Sequence, residues 1–467
     1  MTKILHTVHG ILWGAPVLLL IVGVGVFYSW CTGFIQVRKL PDALKLFFRK
    51  LVKREQNPEG VSSFQALCTA LAATVGTGNL VGVAGAICIG GPGAIFWMWI
   101  CGILGMVTKY AEVILAVHYR TRRDGVYVGG PMYIITAGLS ERWHWLARLY
   151  AAFGIVAAFG VGNGTQINAL VNGINEAIGY ETYCRNLAMG LILAVLVGAM
   201  LLGGARRIGA AAEIMVPFVS AAYILLCIGV LICRAQMIPN ALWSIVKGAF
   251  CPRSVTAGLI GSFHIALRTG CSRGVFTNEA GMGTASIAHA SAQTEHPVQQ
   301  GLMGIIEVFL DTIVICTLTA LVILVSGVPV PYGEDLGAHL TTQAFASVYG
   351  HWATVFLAGA LCCFAFATVL GWGLYGARCA EFLFGPGAWE RFALLQTAAV
   401  IPGAVLNTQT IWLMAEVVNG LMAIPNLIAL AVLAPVAVRL TIEYERKSDS
   451  QNVSGGYYAD FHQCKPL

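Results

Sequence analysis

The chain reads as an all-α polytopic membrane protein of about eleven transmembrane helices. The last ten form a five-plus-five inverted repeat behind one extra N-terminal helix. Three observations predict this. Of 467 residues, 57% are hydrophobic and only 11% charged, with a mean hydropathy of +0.75, whereas a soluble domain carries roughly 25% charged residues. Arginine and lysine alternate in abundance between successive loops. Finally, two of the apolar runs are interrupted by small and polar residues where a membrane helix would be intact.

Apolar runs suited to spans of about 20 residues fall at 11–33, 62–88, 93–118, 146–176, 187–204, 209–233, 256–291, 298–327, 347–376, 389–406 and 409–438. The first lacks an Ala-x-Ala cleavage site, and a basic segment follows rather than precedes it, so it reads as a retained span and not a signal peptide. The segments from Arg38 to Arg54, from Arg120 to Arg148, at Arg206–Arg207, at Arg378 and Arg391, and in the tail hold twenty Lys and Arg; the alternate segments hold five. By the positive-inside rule the N-terminus is outside and the C-terminus cytoplasmic. The expected units are 1–60 (first helix and basic segment), 61–233 and 234–440 (the two five-helix repeats), and 441–467, a polar tail expected to be disordered from Lys447.

An odd number of spans per repeat means that the second repeat starts from the opposite side of the membrane. Its first member, span 7, therefore runs against span 2, and these are the two broken spans. Backbone freed within a bilayer is tolerated only where it is buried in protein or lines a polar cavity. Paired breaks in corresponding halves point to a transporter's binding site.

The first break is Ala72-Ala-Thr-Val-Gly-Thr-Gly-Asn79. Glycines at 76 and 78 permit unwinding. The half-helix that follows offers amides and a partial positive charge to a carboxylate, and the half before it offers carbonyls to a cation. Close helix packing by small residues is the alternative. The second break is expected within Arg268–Gly283, where Arg268, Arg273 and Glu279 lie among Gly270, Gly274, Gly281 and Gly283. Intramembrane charges cost roughly 2.5–3.5 kcal/mol each to insert, so they face a polar interior and pair. Glu279 is read either as a gating or coupling carboxylate or as the partner of Arg273 or Arg268. Phe276 and Thr277 are candidates for contact with a substrate.

Other interior polar residues are Gln166, Asn168, Thr368, Glu416 and Asn419. Lys109 and Glu112 are expected to form an interfacial pair, and Asp311 is a candidate proton site. The cysteines lie mostly in apolar runs and read as small buried hydrophobes. The net charge of +6 follows from the topology signal and requires no nucleic acid. There is no GxxxxGK[ST], GxSxG or HExxH motif, which argues against ATP-driven pumping and against hydrolase or metalloprotease chemistry.

Several motifs resemble the alanine or glycine:cation symporter family. They are Gly76-Thr-Gly-Asn-Leu-Val-Gly-Val-Ala, Gly90-Gly-Pro-Gly-Ala-Ile-Phe-Trp-Met-Trp, Thr108-Lys-Tyr-Ala-Glu, Arg273-Gly-Val-Phe-Thr-Asn-Glu-Ala-Gly-Met-Gly, Gly371-Trp and Asn419-Gly-Leu-Met-Ala-Ile-Pro-Asn-Leu. The resemblance covers spans 2 to 11. It implies a LeuT-type fold in a prokaryotic inner membrane and sodium-coupled uptake of alanine or glycine, with no cofactor and no ATPase subunit. On that footing Thr77, Gly78 and Asn79 hold the substrate carboxylate, and carbonyls near Gly270 and Phe276–Asn278 meet its ammonium. Phe276 and Gln166 limit its size, and carbonyls of Ala72, Val75 and Phe364 with Thr368 bind sodium. The chain departs from the family at Ala367, where a hydroxyl is usual, and at Glu416, where an aspartate is. A proton-coupled symporter using Glu279 or Asp311 is the alternative. A channel has no need of two opposed breaks, and no nucleophile–base pair supports a membrane enzyme.

Overall fold

The computed structural model describes residues 2–52, 60–123, 125–251, 262–334, 337–406 and 409–451. Among these, eight helices or fused helix pairs are long and apolar enough to cross a membrane. A ninth span is the pair Ser63–Thr74 and Gly78–Gly90, bent by 50°. The two remaining expected spans fall on a broken helix at 263–290 and on the helix Ala388–Val405.

In chain order the helices begin with α1 (Thr2–Leu12) and α2 (Ala15–Cys31), followed by α3 (Ile35–Arg38) and α4 (Leu40–Val52). The first broken span is α5 (Ser63–Thr74) and α6 (Val83–Gly90). After α7 (Gly93–His118) come a short antiparallel hairpin of β1 (Thr121–Arg123) and β2 (Val126–Val128), then α8 (Pro131–Gly138), α9 (His144–Phe159) and α10 (Thr165–Ile178). The first half closes with α11 (Tyr183–Leu201) and α12 (Gly204–Cys233). The second opens with α13 (Ile238–Phe250), the broken span α14 (Phe263–Asn278) and α15 (Thr284–Ala290), then α16 (Pro297–Val308) and α17 (Thr317–Val325). It ends with α18 (Ala338–Tyr349), α19 (His351–Phe384), α20 (Ala388–Val405) and α21 (Gln409–Gln451).

Three features differ from expectation. Helices α8, α13 and α18 and the hairpin occupy what read as loops. The helix α21 continues through Lys447 to Gln451, so the tail is helical there; 452–467 lie outside the described residues, as do Lys53 and Arg54. The third concerns span 7. The break expected within Arg268–Gly283 is confined to the end of that stretch, and α14 is continuous through Arg268 to Asn278. Gly270 and Gly274, four apart, instead let α14 close onto α7: a Cβ on Gly270 would lie 2.2 Å from the Ala94 carbonyl oxygen and 2.8 Å from Trp97 Cβ. That is the small-xxx-small contact of membrane helices. The real break is Glu279–Gly283, where Glu279, Gly281 and Gly283 all take positive φ (52°, 92° and 77°).

The two broken spans run in opposite directions. The chain enters α5 at Val61 beside the point where it leaves α15 at Ala292. These residues pair as an isolated bridge, with the Gln293 amide donating to the Val61 carbonyl at 2.9 Å. At the other end, a Cβ on Gly90 would meet Thr269 and Ala266 of α14. Ser62 caps α5 by accepting from the Gln65 amide, and His296 and Pro297 open α16, as N-terminal signals require. The end that carries Val61 also carries α3, α4 and the C-terminal part of α21, tied by Arg38 to Glu445 at 2.8 Å. It is called the basic end below.

Candidate functional site

In an unbroken helix each amide bonds the carbonyl four residues back. At the first break Asn79 diverts two of these bonds. Its Oδ1 accepts from the Gly76 amide at 2.9 Å, so that amide does not serve the Ala72 carbonyl. The Asn79 amide donates to the Gly76 carbonyl at 3.3 Å rather than to Val75. The carbonyls of Ala72 and Val75 thus lose their helical donors, and the amides of Thr77 and Gly78 open the following half-helix, where the first turn has no intrahelical acceptor. Residues Gly78–Gly82 then form a π-helical turn before α6.

Side chains from three other spans close on this break. Thr77 Oγ1 donates to Gln166 Oε1 at 3.0 Å. Gln166 follows a second π-helical segment, Gly160–Gly164, which joins α9 to α10. Thr368 of α19 donates to the Phe364 carbonyl at 3.0 Å, and its hydroxyl faces Gly76, where a Cβ would lie 2.6 Å away. Thr277 of α14 packs against Gly78, with 2.9 Å from its Cγ2 to the position of an added Cβ. Thr77, Asn79, Gln166, Thr277 and Thr368 are 0–3% exposed, so the break is closed from both ends.

The structure therefore brings together Ala72, Val75, Thr77, Gly78, Asn79, Gln166, Thr277, Phe364 and Thr368. It holds Gly270 in the α14–α7 interface instead. Phe276 is half-buried in the last turn of α14, and Asn278 points to the second break. Ala367 is buried beside Thr368. Asn168 faces Asn172 along α10, away from the break.

A hydrogen-bonded chain links the two breaks. Asn79 Nδ2 donates to Asp311 Oδ1 at 2.7 Å, Thr312 donates to Asp311 Oδ2 at 2.8 Å, and Asn278 donates to Thr312 at 3.1 Å. Asn278 Oδ1 then accepts from the Ala280 amide at 3.0 Å. Asp311 and Thr312 sit in a third π-helical segment, Phe309–Cys316, between α16 and α17. π-Turns cluster at functional sites, and these were not anticipated; Gly160-Val-Gly-Asn-Gly was the available signal.

The amides of the second break are already occupied. Glu112 Oε1 accepts from Gly281 N (2.9 Å), Gly283 N (3.1 Å) and Asn426 Nδ2 (2.7 Å). Glu279 accepts from Trp372 Nε1 at 2.9 Å and from Thr284 Oγ1. Those bonds hold a non-glycine residue in the left-handed region, which costs of order 1–3 kcal/mol. The expected pairings are thus corrected. Arg273 pairs with Glu416 at 3.3 Å, Glu416 also meets His9 Nε2 at 2.6 Å, and Arg268 Nε donates to the Trp13 carbonyl. Lys109 and Glu112 are fully buried rather than interfacial.

Lys109 lies 3.4 Å from Glu307 Oε1, and His289 Nε2 lies 3.0 Å from Glu307 Oε2. Gln300 Nε2 is 2.7 Å from His289 Nδ1, and Ser63 donates to Gln300 Oε1. With the Gln300 amide donating to Nδ1, the imidazole proton sits on Nε2 and faces Glu307. This buried chain ties α7 and α16 to α15 and to the first residue of α5. At the same end Arg120 donates to the carbonyls of Ala290 and Ala292, with Tyr127 stacked 3.9 Å from its guanidinium carbon. Partial burial draws the Arg120 guanidinium below its ordinary pKa, and Tyr127 opposes that shift. Beyond this seam a cavity of about 730 Å³ opens at the basic end.

A family model described as the sodium:alanine symporter family matches residues 1–455. The sodium/alanine symporter AgcS of Methanococcus maripaludis is 41% identical over 96% of this chain and 99% of its own length. A protein of Haemophilus influenzae named only as an uncharacterized transporter is 44% identical over 95% of this chain and 96% of its own. The amino-acid carrier protein AlsT of Bacillus subtilis is 36% identical over 92% and 89%. Among solved structures, MhsT in complex with L-phenylalanine superposes with a TM-score of 0.56 at 14% identity, covering 82% of this chain and 99% of that one, and so shares the fold.

Proposed function

The chain belongs to the sodium:alanine symporter family, and on that premise we propose that it carries alanine or glycine into a prokaryotic cell with sodium, by alternating access around the first break. Cation-coupled amino-acid symport follows from the family; the ion, the amino acid and the residues that hold them are the proposal. The basic end faces the cytoplasm in this reading, with the N-terminus outside.

The observation that carries it is the double diversion by Asn79. Its side chain takes the Gly76 amide from the Ala72 carbonyl, its backbone amide turns from Val75 to the Gly76 carbonyl, and the Thr77 and Gly78 amides are left at a half-helix N-terminus. Unwound carbonyls suit sodium, and first-turn amides suit a carboxylate. Sodium takes the carbonyls of Ala72, Val75 and Phe364 with the Thr368 hydroxyl. The substrate carboxylate takes Thr77, Gly78 and Asn79. Its ammonium meets the last-turn carbonyls of α14 near Phe276–Asn278. Phe276 and Gln166 limit the size of the side chain, which suits alanine or glycine. Coupling follows if sodium binds preferentially to the state that also binds substrate.

Glu112 supports the assignment of the carboxylate to the first break, because it already satisfies the amides of the second. A proton-coupled reading rests on Asp311, which is buried and bonded directly to Asn79. Purified protein in liposomes, given labelled alanine under a sodium gradient and then under a proton gradient, separates the two. Uptake driven by sodium alone is expected. Uptake driven by protons and indifferent to sodium would transfer coupling to Asp311.

A further inference from the structure

Helix α4 presents two faces. Its inner face is protein: Ala43 is fully buried, and the Phe47 ring lies 6.1 Å from Phe64 of α5. Its outer face mixes apolar and cationic residues. Phe48 is 56% exposed and Val52 82%, and Lys45 and Arg49 beside them are also exposed. The preceding turn continues the pattern with Val37 beside Arg38 and Lys39. Large apolar side chains interleaved with cations suit neither bulk water nor the hydrocarbon core, but they match the plane where headgroups meet acyl chains.

The cavity at the basic end adjoins this face. Among the described residues, Arg49 and Lys50 of α4, with Arg120 and Arg122, contribute four cations to its lining against the carboxylate of Glu295. It also reaches Val61, whose neighbour Ala292 completes the seam between α5 and α15. A group bound here touches the closure of the cytoplasmic end directly, and it touches α5 again through Phe47 and Phe64.

We propose that α4 and this cavity form a binding site for the headgroup of an anionic phospholipid of the cytoplasmic leaflet, and that its occupancy sets how readily the α5–α15 seam opens. Phe48 and Val52 enter the acyl boundary, and Lys45, Arg49 and Lys50 take the phosphate. The rate effect rests on the transport reading above; the binding does not.

Two measurements test it. Sodium-driven alanine uptake is followed in vesicles of phosphatidylcholine with and without added phosphatidylglycerol, for the parent and for Lys45→Gln/Arg49→Gln. Each cation near an anionic surface is worth about fivefold in binding. The parent should be stimulated at low phosphatidylglycerol content, the variant should need at least about fivefold more, and the two should match in phosphatidylcholine alone. Equal stimulation of both, or stimulation by inorganic phosphate in phosphatidylcholine vesicles, overturns the proposal. Separately, a benzoylphenylalanine photocrosslinker replacing Phe48 reports the neighbouring lipid by mass spectrometry. Adducts enriched in phosphatidylglycerol over phosphatidylcholine are expected in the parent and not in the charge variant. Equal adducts in the parent overturn the site even if no alanine is transported, and enriched adducts without transport would count against the transport reading alone.

Discussion

Replacing Glu112 measures how firmly the second break is held. One carboxylate oxygen accepts three donors at 2.7–3.1 Å in a site with no exposure. In Glu112→Ala all three donors lose their acceptor, at about 1–3 kcal/mol each. Even the low end, about 3 kcal/mol in total, is a large fraction of a net folding stability of about 5–15 kcal/mol. In Glu112→Gln the oxygen remains but the charge does not. Charge-assisted bonds are roughly twice as strong as neutral ones, so the loss is about 1 kcal/mol per bond before the gain from burying a neutral group. A net loss of about 1–3 kcal/mol corresponds to about 5- to 150-fold in the population of the ordered break, at 1.4 kcal/mol per factor of ten. The assay is sodium-driven alanine uptake in proteoliposomes, with thermal stability in detergent alongside. Alanine substitution should abolish uptake and lower the melting temperature. Glutamine should reduce the maximal rate more than it raises KM, because the amides proposed for the substrate belong to the other break. Full uptake and unchanged melting in Glu112→Ala would refute the reasoning.

Three further outcomes are expected. Gly78→Ala places a Cβ 2.9 Å from Thr277 Cγ2 and should lower uptake; Gly78→Ala/Thr277→Ser removes that methyl and should restore a measurable part, so a double variant no better than the single would count against the contact. Thr368→Ala should raise the sodium concentration for half-maximal uptake by about tenfold, the worth of one hydrogen-bond-strength ligand, and Thr368→Ser should not; indifference to both would remove the residue from the sodium site. Gln300→Leu cuts the chain between Ser63 and His289 and should raise the labelling rate of an Ala66→Cys reporter, buried in the seam beside Val61 and Ala292, about fivefold from the basic end. Unaltered labelling would show that the chain does not hold the seam.

The first break was legible because glycine, threonine, glycine and asparagine stand together in an apolar run, a pattern no packing surface requires. The second is bounded only loosely by the sequence, within Arg268–Gly283, because two kinds of glycine occur in one segment. Gly270 and Gly274 are spaced four apart and pack a helix, whereas Gly281 and Gly283 are spaced two apart and adopt positive φ. That difference was available in the spacing. The partner of each charge was not, because Arg273 and Glu416, or Lys109 and Glu307, are joined only by tertiary packing. Glu307 and His289 could have been singled out as ionisable residues inside spans; their pairing could not. Asn79 reads from the sequence as a ligand, but its capture of the Gly76 amide depends on a side-chain rotamer that no pattern encodes.

Glu112 also bears on counting. A chain folded as two inverted halves has, by its own symmetry, two helix ends able to receive a carboxylic acid. A permanent resident at one of them leaves a single vacancy for cargo. On this reading the uptake curve is a plain hyperbola in amino acid, one molecule per turnover. In that reading the two inverted halves form an asymmetric machine: one receives the passenger, and the other carries its substitute, Glu112, as part of the frame.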